Sequence, residues 1–71
     1  MRTGILNVWF QDRNYGFIHE TNAGTILNHF LHAQNIKSGQ PFTGATVRFK
    51  SVATKKGLLA IDAEILDGGQ S

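Results

Sequence analysis

The feature that most constrains the fold of this chain is strand-forming sequence without any helical period. Five short segments are apolar or alternate between apolar and polar residues, which is typical of strands; they span residues 5–10, 15–20, 25–32, 46–52 and 58–66. No segment carries an apolar stripe at i, i+3, i+4 and i+7, and only residues 33–37 suit a single helical turn. Because polar turns containing Gly, Asn and Pro separate the segments, the sequence predicts an all-β domain.

Five strands in a chain of 71 residues would leave two unpaired sheet edges. Closing the sheet on itself removes both edges, so we predict a five-stranded antiparallel Greek-key barrel. It covers residues 1–66, and residues 67–71 are expected to form a short flexible tail. Strand alternation assigns these apolar side chains to the interior: Leu6, Ile18, Leu27, Leu31, Ile36, Val47, Phe49 and Ile61.

Composition limits the classes of function that the chain can serve. It contains no cysteine, so neither a disulfide nor a thiolate metal site is available. No apolar run approaches the roughly 18 residues of a membrane span, and the first residues lack the apolar core of a signal peptide. We therefore expect a cytoplasmic protein. All seven Lys and Arg residues precede residue 57 and only two acidic residues do, so the body of the domain can present a positive side.

Two pairs of aromatic residues indicate a binding surface. Tyr15 and Phe17 are two residues apart on one predicted strand, and Phe30 and His32 are two residues apart on the next. Alternate residues of a strand point to the same side of the sheet, so each pair projects from one face. Flat rings on an exposed sheet are what unpaired nucleobases stack on. Arg13 precedes the first pair in a turn and can reach a phosphate.

Five segments in this order resemble the cold-shock domain of bacterial cold-shock proteins and Y-box proteins: GILNVWFQ (4–11), RNYGFI (13–18), HFLH (29–32), GATVRF (44–49) and KGLLAIDA (56–63). The second segment is similar to the family's first nucleic-acid motif, Lys-Gly-(Phe/Tyr)-Gly-Phe-Ile. The resemblance implies an OB-fold barrel that binds single-stranded RNA or DNA with little sequence preference and acts as an RNA chaperone. It also implies that Lys56 lies near the aromatic face.

The chain departs from the family pattern at several positions. Trp9 stands where the family usually has Phe, so either Trp9 takes over that stacking position or the strand carries a compensating bulge. Asn14 replaces the usual Gly and is expected to adopt the left-handed conformation. Ala33 stands where the family often has an aromatic residue, and the turn over residues 20–28 is expected to be longer than usual. We therefore expect the family's binding activity in weakened form.

The predicted nucleic-acid-binding residues are Trp9, Arg13, Tyr15, Phe17, Phe30, His32 and Lys56. Phe10 and Phe42 are assigned to the core. A zinc site built from His19, His29 and His32 is rejected, because His29 and His32 are three residues apart on a strand and face opposite sides.

Other functions and folds fit the sequence less well. It contains no nucleophile–base pair, carboxylate dyad or phosphate loop, so we expect neither an enzyme nor a cofactor nor a small-molecule substrate. An RRM would need two amphipathic helices, which the chain lacks. The alternative that stays open is a protein-interaction module on the same barrel. The chain is expected to be a monomer with no membrane partner.

Overall fold

A computed structural model describes residues 1–66, so the expectation of a flexible tail at residues 67–71 lies outside the described residues. Six strands form: β1 (Arg2–Phe10), β2 (Tyr15–Asn22), β3 (Thr25–His32), β4 (Ile36–Ser38), β5 (Thr46–Thr54) and β6 (Gly57–Ile65). The predicted single turn of helix is present as a 3₁₀ turn at Ala33–Asn35, between β3 and β4. Within the described part of the chain, no helix is long and apolar enough to cross a membrane.

Five of these strands close into a ring. Neighbouring strands follow the order β3, β2, β1, β5 and β6, and β3 pairs with β6 to close the barrel. The prediction of an all-β, five-stranded barrel of the OB-fold type is therefore confirmed. The closing ladder is parallel, whereas the other four ladders of the ring are antiparallel. An odd number of strands cannot alternate in direction all the way around a ring, so at least one parallel joint is unavoidable. The short β4 adds a second parallel ladder beside β6.

The interior contains most of the predicted core. Leu6, Ile18, Leu31, Val47 and Phe49 are fully buried, and Ile36 packs against them from the edge. Four further apolar residues complete this core: Ala45, Ala60, Ala63 and Ile65. Leu27 is only half-buried, and Phe42, which the sequence assigns to the core, is 40% exposed.

The prediction for Ile61 is wrong because β6 contains a bulge. The β5–β6 register shifts between Arg48 and Lys50, and Asp62 has a positive φ of 51°. An extra residue in a strand reverses the sides that later side chains face. Ala60 and Ile65 are consequently both buried, although they are five residues apart, whereas Ile61 is only half-buried.

Two turns have positive φ angles at their tips. Asn14 has a φ of 61°, which confirms the predicted left-handed conformation. The β2–β3 connection needs only Ala23 and Gly24, both with positive φ, because β2 continues to Asn22 and β3 begins at Thr25. The expected long turn over residues 20–28 is therefore wrong, and a tight two-residue hairpin stands there instead.

A buried histidine, which the sequence did not predict, lies in the barrel. The His29 ring is fully buried, shares a 2.9 Å hydrogen bond between Nε2 and Ser51 Oγ, and packs edge-on against Phe49. Nδ1 of His29 has no hydrogen-bond partner among the described residues. The Glu20 carboxylate lies 3.8 Å from Nε2 and is held by Arg2 at 2.9 Å. Burial lowers the pKa of His29, Glu20 opposes that effect, and Arg2 adds to it.

This buried imidazole predicts that stability falls on mild acidification. In the unfolded chain His29 takes up a proton near its ordinary pKa of 6.5, whereas in the folded barrel its pKa is lower. Between these two values the unfolded state binds more protons, so the free energy of unfolding decreases as the pH falls through 6.5. Urea unfolding at intervals between pH 7.5 and 5.5 measures this slope.

We expect His29→Gln to remove that slope and the matched change His32→Gln to retain it. A slope that is equally steep in His29→Gln and in the unmodified protein would contradict this account of the buried ring.

Candidate nucleic-acid interface

Five rings form a continuous cluster on the outside of β1, β2 and β3, which we call the aromatic platform: Phe10, Tyr15, Phe17, Phe30 and His32. Tyr15 is central, with ring centroids 5.4 Å from Phe10, 6.2 Å from Phe17 and 5.3 Å from Phe30. The Phe30 centroid lies 6.4 Å from that of His32. These edge-on and tilted contacts are the arrangements that aromatic rings prefer. They leave ring surface exposed to solvent while each ring supports its neighbours.

Strand register explains why the rings meet. Directly paired residues on neighbouring strands share one face of the sheet. Tyr15 pairs with Phe10 on one side and with His32 on the other, which makes one row across three strands. Phe17 pairs with Phe30, and this second row lies two residues further along. Tyr15, Phe17, Phe30 and His32 therefore share one outward face, as their spacing predicts.

The structure corrects the assignments of Trp9 and Phe10. Leu6 pairs with Ile18, but Val8 pairs with Phe17, so Asn7 is an extra residue in β1. The strand thus carries the compensating bulge, which was one of the two alternatives that the sequence left open. Beyond it, Trp9 turns towards the core, pairs with Gly16 and packs against the buried cluster.

Phe10 takes the place on the platform that the sequence assigned to Trp9. It is 39% exposed rather than buried, and it forms the end of the first row. A local signal could have identified it. The backbone amides of Arg13 and Asn14 both donate to the Phe10 carbonyl oxygen, closing a tight turn. Residues that flank such a turn pair across the hairpin, so Phe10 had to face the same side as Tyr15.

His32 joins the platform and also fixes the next segment. Its Nδ1 accepts a 3.1 Å hydrogen bond from the backbone amide of Gln34 and so caps the 3₁₀ turn. Because Nδ1 acts as the acceptor, the neutral ring carries its proton on Nε2. His32 thus offers both a ring face and one N–H donor.

The cations divide into two groups. Four are in ion pairs: Arg2 with Glu20, Lys37 and Arg48 with Glu64, and Lys50 with Asp62. A hydrogen bond from Arg48 lowers the pKa of Glu64; burial opposes that effect, and the charges of Arg48 and Lys37 add to it. Within residues 1–66, the remaining cations make no ion pair, and they are Arg13, Lys55 and Lys56.

Two of these three unpaired cations lie at edges of the platform. Arg13 occupies the turn between Phe10 and Tyr15. Lys56, in the β5–β6 turn, lines a groove of about 420 Å³ together with Phe17, Phe30 and Leu59. The predicted placement of Lys56 beside the aromatic face thus agrees with the structure. Positive charge that is not neutralised by an acidic neighbour is the kind that attracts a polyanion.

The three histidines are dispersed. His29 is inside the barrel, while His19 and His32 lie on the outward parity of β2 and β3. Among the described residues, no group of three or more His, Asp or Glu side chains could hold a metal ion.

Comparison of the chain with protein-family models and with curated proteins gives no match. The cold-shock domain is therefore a resemblance, and the function has to be argued from the geometry of the platform and its charges.

Gly16 is the residue that permits this arrangement of rings, and Gly16→Ala tests it. An added Cβ would clash with the Val8 carbonyl oxygen and would lie 2.9 Å from Cε3 of Trp9. We expect a loss of about 1–3 kcal/mol in the free energy of unfolding, as is usual for overpacking. Trp9 emission should shift as well, because the indole has to move. Urea unfolding followed by Trp9 fluorescence measures both effects.

The control is Gly24→Ala, where an added Cβ meets no atom within 4 Å. It carries only the cost of alanine at positive φ, about 1–2 kcal/mol, and should leave the Trp9 emission in place. An unchanged Trp9 spectrum in Gly16→Ala would show that the indole does not rest on this glycine.

Proposed function

We propose that this chain is a cytoplasmic single-stranded nucleic-acid-binding protein that stacks unpaired bases of RNA or DNA on the aromatic platform. The observation that carries the proposal is the continuous cluster of five rings on one outward face, with uncompensated cations at its edges. Contiguous exposed aromatic surface on a small domain usually marks an interaction site. The resemblance to cold-shock domains points in the same direction.

Stacking supplies most of the affinity in this proposal. Each base stacked on an aromatic side chain contributes roughly 1–3 kcal/mol. Three or four stacked bases are then enough for affinity on the order of micromolar, about 8 kcal/mol, after the strand has lost its flexibility. A bound strand of several nucleotides fits two rows of rings on three neighbouring strands.

The platform selects unpaired bases without selecting a sequence. Its rings can reach a base only when the base is unstacked from its neighbours, so duplexes should bind poorly. Few polar groups stand among the rings, chiefly the Tyr15 hydroxyl and Nε2 of His32, so little of a base edge is read there. A protein that holds bases open competes with weak base pairing, which is the activity of an RNA chaperone that needs neither ATP nor a cofactor.

Phosphate contacts hold the strand at the edges of the platform. Arg13 stands at the Phe10–Tyr15 end, and Lys56 stands beside the groove next to Phe17 and Phe30. Two or three such contacts give a shallow salt dependence, on the order of −0.7 in the logarithmic slope for each contact with a single strand. Binding should therefore survive moderate salt better than binding by a basic tail.

Removing two rings from the second row tests the stacking role. We expect the double change Phe17→Ala with Phe30→Ala to lower the affinity for a single-stranded heptamer by about tenfold or more, because both stacking contacts are lost. Anisotropy of a fluorescently labelled heptathymidine measures the affinity, and far-UV circular dichroism confirms that the β structure persists. Trp9 fluorescence is unsuitable for this measurement because the indole is not on the platform.

The matched control is Phe42→Ala, which makes the same chemical change at a phenylalanine that is 40% exposed and outside the platform. It should bind the heptamer like the unmodified protein. Equal affinity in the double variant and the control would overturn the proposal.

The role of the uncompensated cations is tested by Arg13→Ala combined with Lys56→Ala. If both contact phosphates, affinity falls modestly and the slope of log K against log salt becomes shallower by about 1.4. The measurement is a set of heptamer titrations between about 50 and 200 mM salt. Lys50→Ala is the control, because Lys50 Nζ is already 3.7 Å from an Asp62 carboxylate oxygen. A slope in the double variant as steep as in this control would refute the phosphate contacts.

A further inference from the structure

A second concavity of about 270 Å³ lies at the end of the barrel beside the platform, and it has a different chemistry. Trp9, Ile36 and Pro41 are among the apolar residues that line it. Three amide side chains, those of Gln11, Asn14 and Gln40, stand around it. The aromatic platform has rings and almost no amides, so this concavity, which we call the amide pocket, is suited to a different task.

Hydrogen bonds and close packing fix the backbone around the amide pocket. The Trp9 amide donates to Thr43 Oγ1 at 3.1 Å, and the Ala33 amide donates to the Asn14 carbonyl oxygen at 2.8 Å. Gly39 has a φ of 89°, and a Cβ there would lie 2.6 Å from Cβ of Ile65, so this wall lies directly on the core. The backbone is therefore in place before a ligand enters, and only the exposed side chains would lose conformational freedom.

The chemistry of the pocket matches a nucleobase. Trp9 offers a broad ring that packs against the core and is therefore held in place. None of the three amide side chains makes a hydrogen bond with another described residue, so each keeps a free donor and a free acceptor. A ring face with hydrogen-bonding groups at its rim is the arrangement that holds a single splayed base.

The amides and the indole together favour adenine. On the edge that carries N7, adenine presents a donor and an acceptor, N6–H and N7, that match a carboxamide, whereas guanine presents two acceptors there, N7 and O6, and is most often read by Arg or Lys. No Arg or Lys is among the described residues that line the pocket. A purine also covers more of the Trp9 indole than a pyrimidine does.

The pocket continues the platform. Asn14 directly precedes Tyr15 and Ala33 directly follows His32, and Tyr15 and His32 are paired across β2 and β3. A strand that leaves the platform at this row therefore reaches the pocket with its next nucleotide. We infer that the amide pocket binds one unpaired adenine at the end of a strand lying on the aromatic platform, so that binding is base-specific at this single position. This inference rests on the proposed function, because the platform delivers the strand.

The test compares heptathymidine with heptamers that carry one adenine at the 5′ end or at the 3′ end, using anisotropy of a fluorescent label. We expect one of the two adenine heptamers to bind about tenfold more tightly than heptathymidine, which is the discrimination that one bidentate amide contact provides. Trp9 emission should change when that heptamer binds and remain unchanged with heptathymidine. Heptamers with guanine or cytosine at the same end should show no comparable gain.

Variants assign the effect to the pocket. The double change Gln11→Ala with Gln40→Ala should make the affinity for the adenine heptamer equal to that for heptathymidine. Both residues are exposed, so the fold should persist. Asn14→Gly should reduce the ratio of these two affinities as well, because glycine keeps the left-handed turn but lacks the amide. Gln34→Ala removes an exposed amide outside the pocket and should retain the full ratio.

The outcomes separate this inference from the proposed function. If heptathymidine binds but terminal adenine brings no gain, or if the gain persists in the Gln11 and Gln40 double variant, the inference is wrong and the platform stands. An equal gain from guanine or cytosine would overturn the assignment to adenine. If no heptamer binds at all, the proposed function fails and the inference fails with it.

Discussion

One extra residue in the first strand determines which of its aromatic side chains faces outwards. Before Asn7, alternate side chains of β1 place Leu6 in the core, and after it the sides are exchanged. Without the bulge, Trp9 would lie outside and Phe10 inside. With it, Phe10 extends the row through Tyr15, and Trp9 becomes a wall at the end of the barrel. If the strand were regular, the platform would lose Phe10 and the amide pocket would lose Trp9.

The parallel joint of the barrel gives the platform its second edge. Because five strands cannot alternate around a closed ring, β3 lies beside β6 in the same direction, and this pairing sets Leu59 next to Phe30. The β5–β6 turn that carries Lys56 is brought to the same groove. A cation far along the chain from the aromatic motif therefore stands beside it for a topological reason. The surface that we propose for nucleic acid joins residues from both ends of the sequence.

Alternation along the strands predicted the fold and most of the platform, because it depends only on neighbouring residues. It placed Tyr15 and Phe17 correctly, and it assigned Leu31 to the core. It failed where alternation was carried across a bulge, at Trp9 in β1 and at Ile61 in β6, because an extra residue exchanges the sides and can be recognised only from the register with the partner strand. Long-range contacts were equally out of reach. Alternation places His29 on the same side as Leu31, but its hydrogen-bond partner, Ser51, is 22 residues away and could not be identified from the sequence.

The ion pairs on the β5–β6 flank have a consequence for where a nucleic-acid strand is attracted. On that side the two carboxylates of Glu64 and Asp62 offset most of the charge of three cations, Arg48, Lys37 and Lys50. The net positive charge of this flank is thereby reduced, whereas Arg13 and Lys56 at the platform form no ion pair within residues 1–66. The strand that we propose as ligand is therefore attracted more strongly to the platform than to this flank.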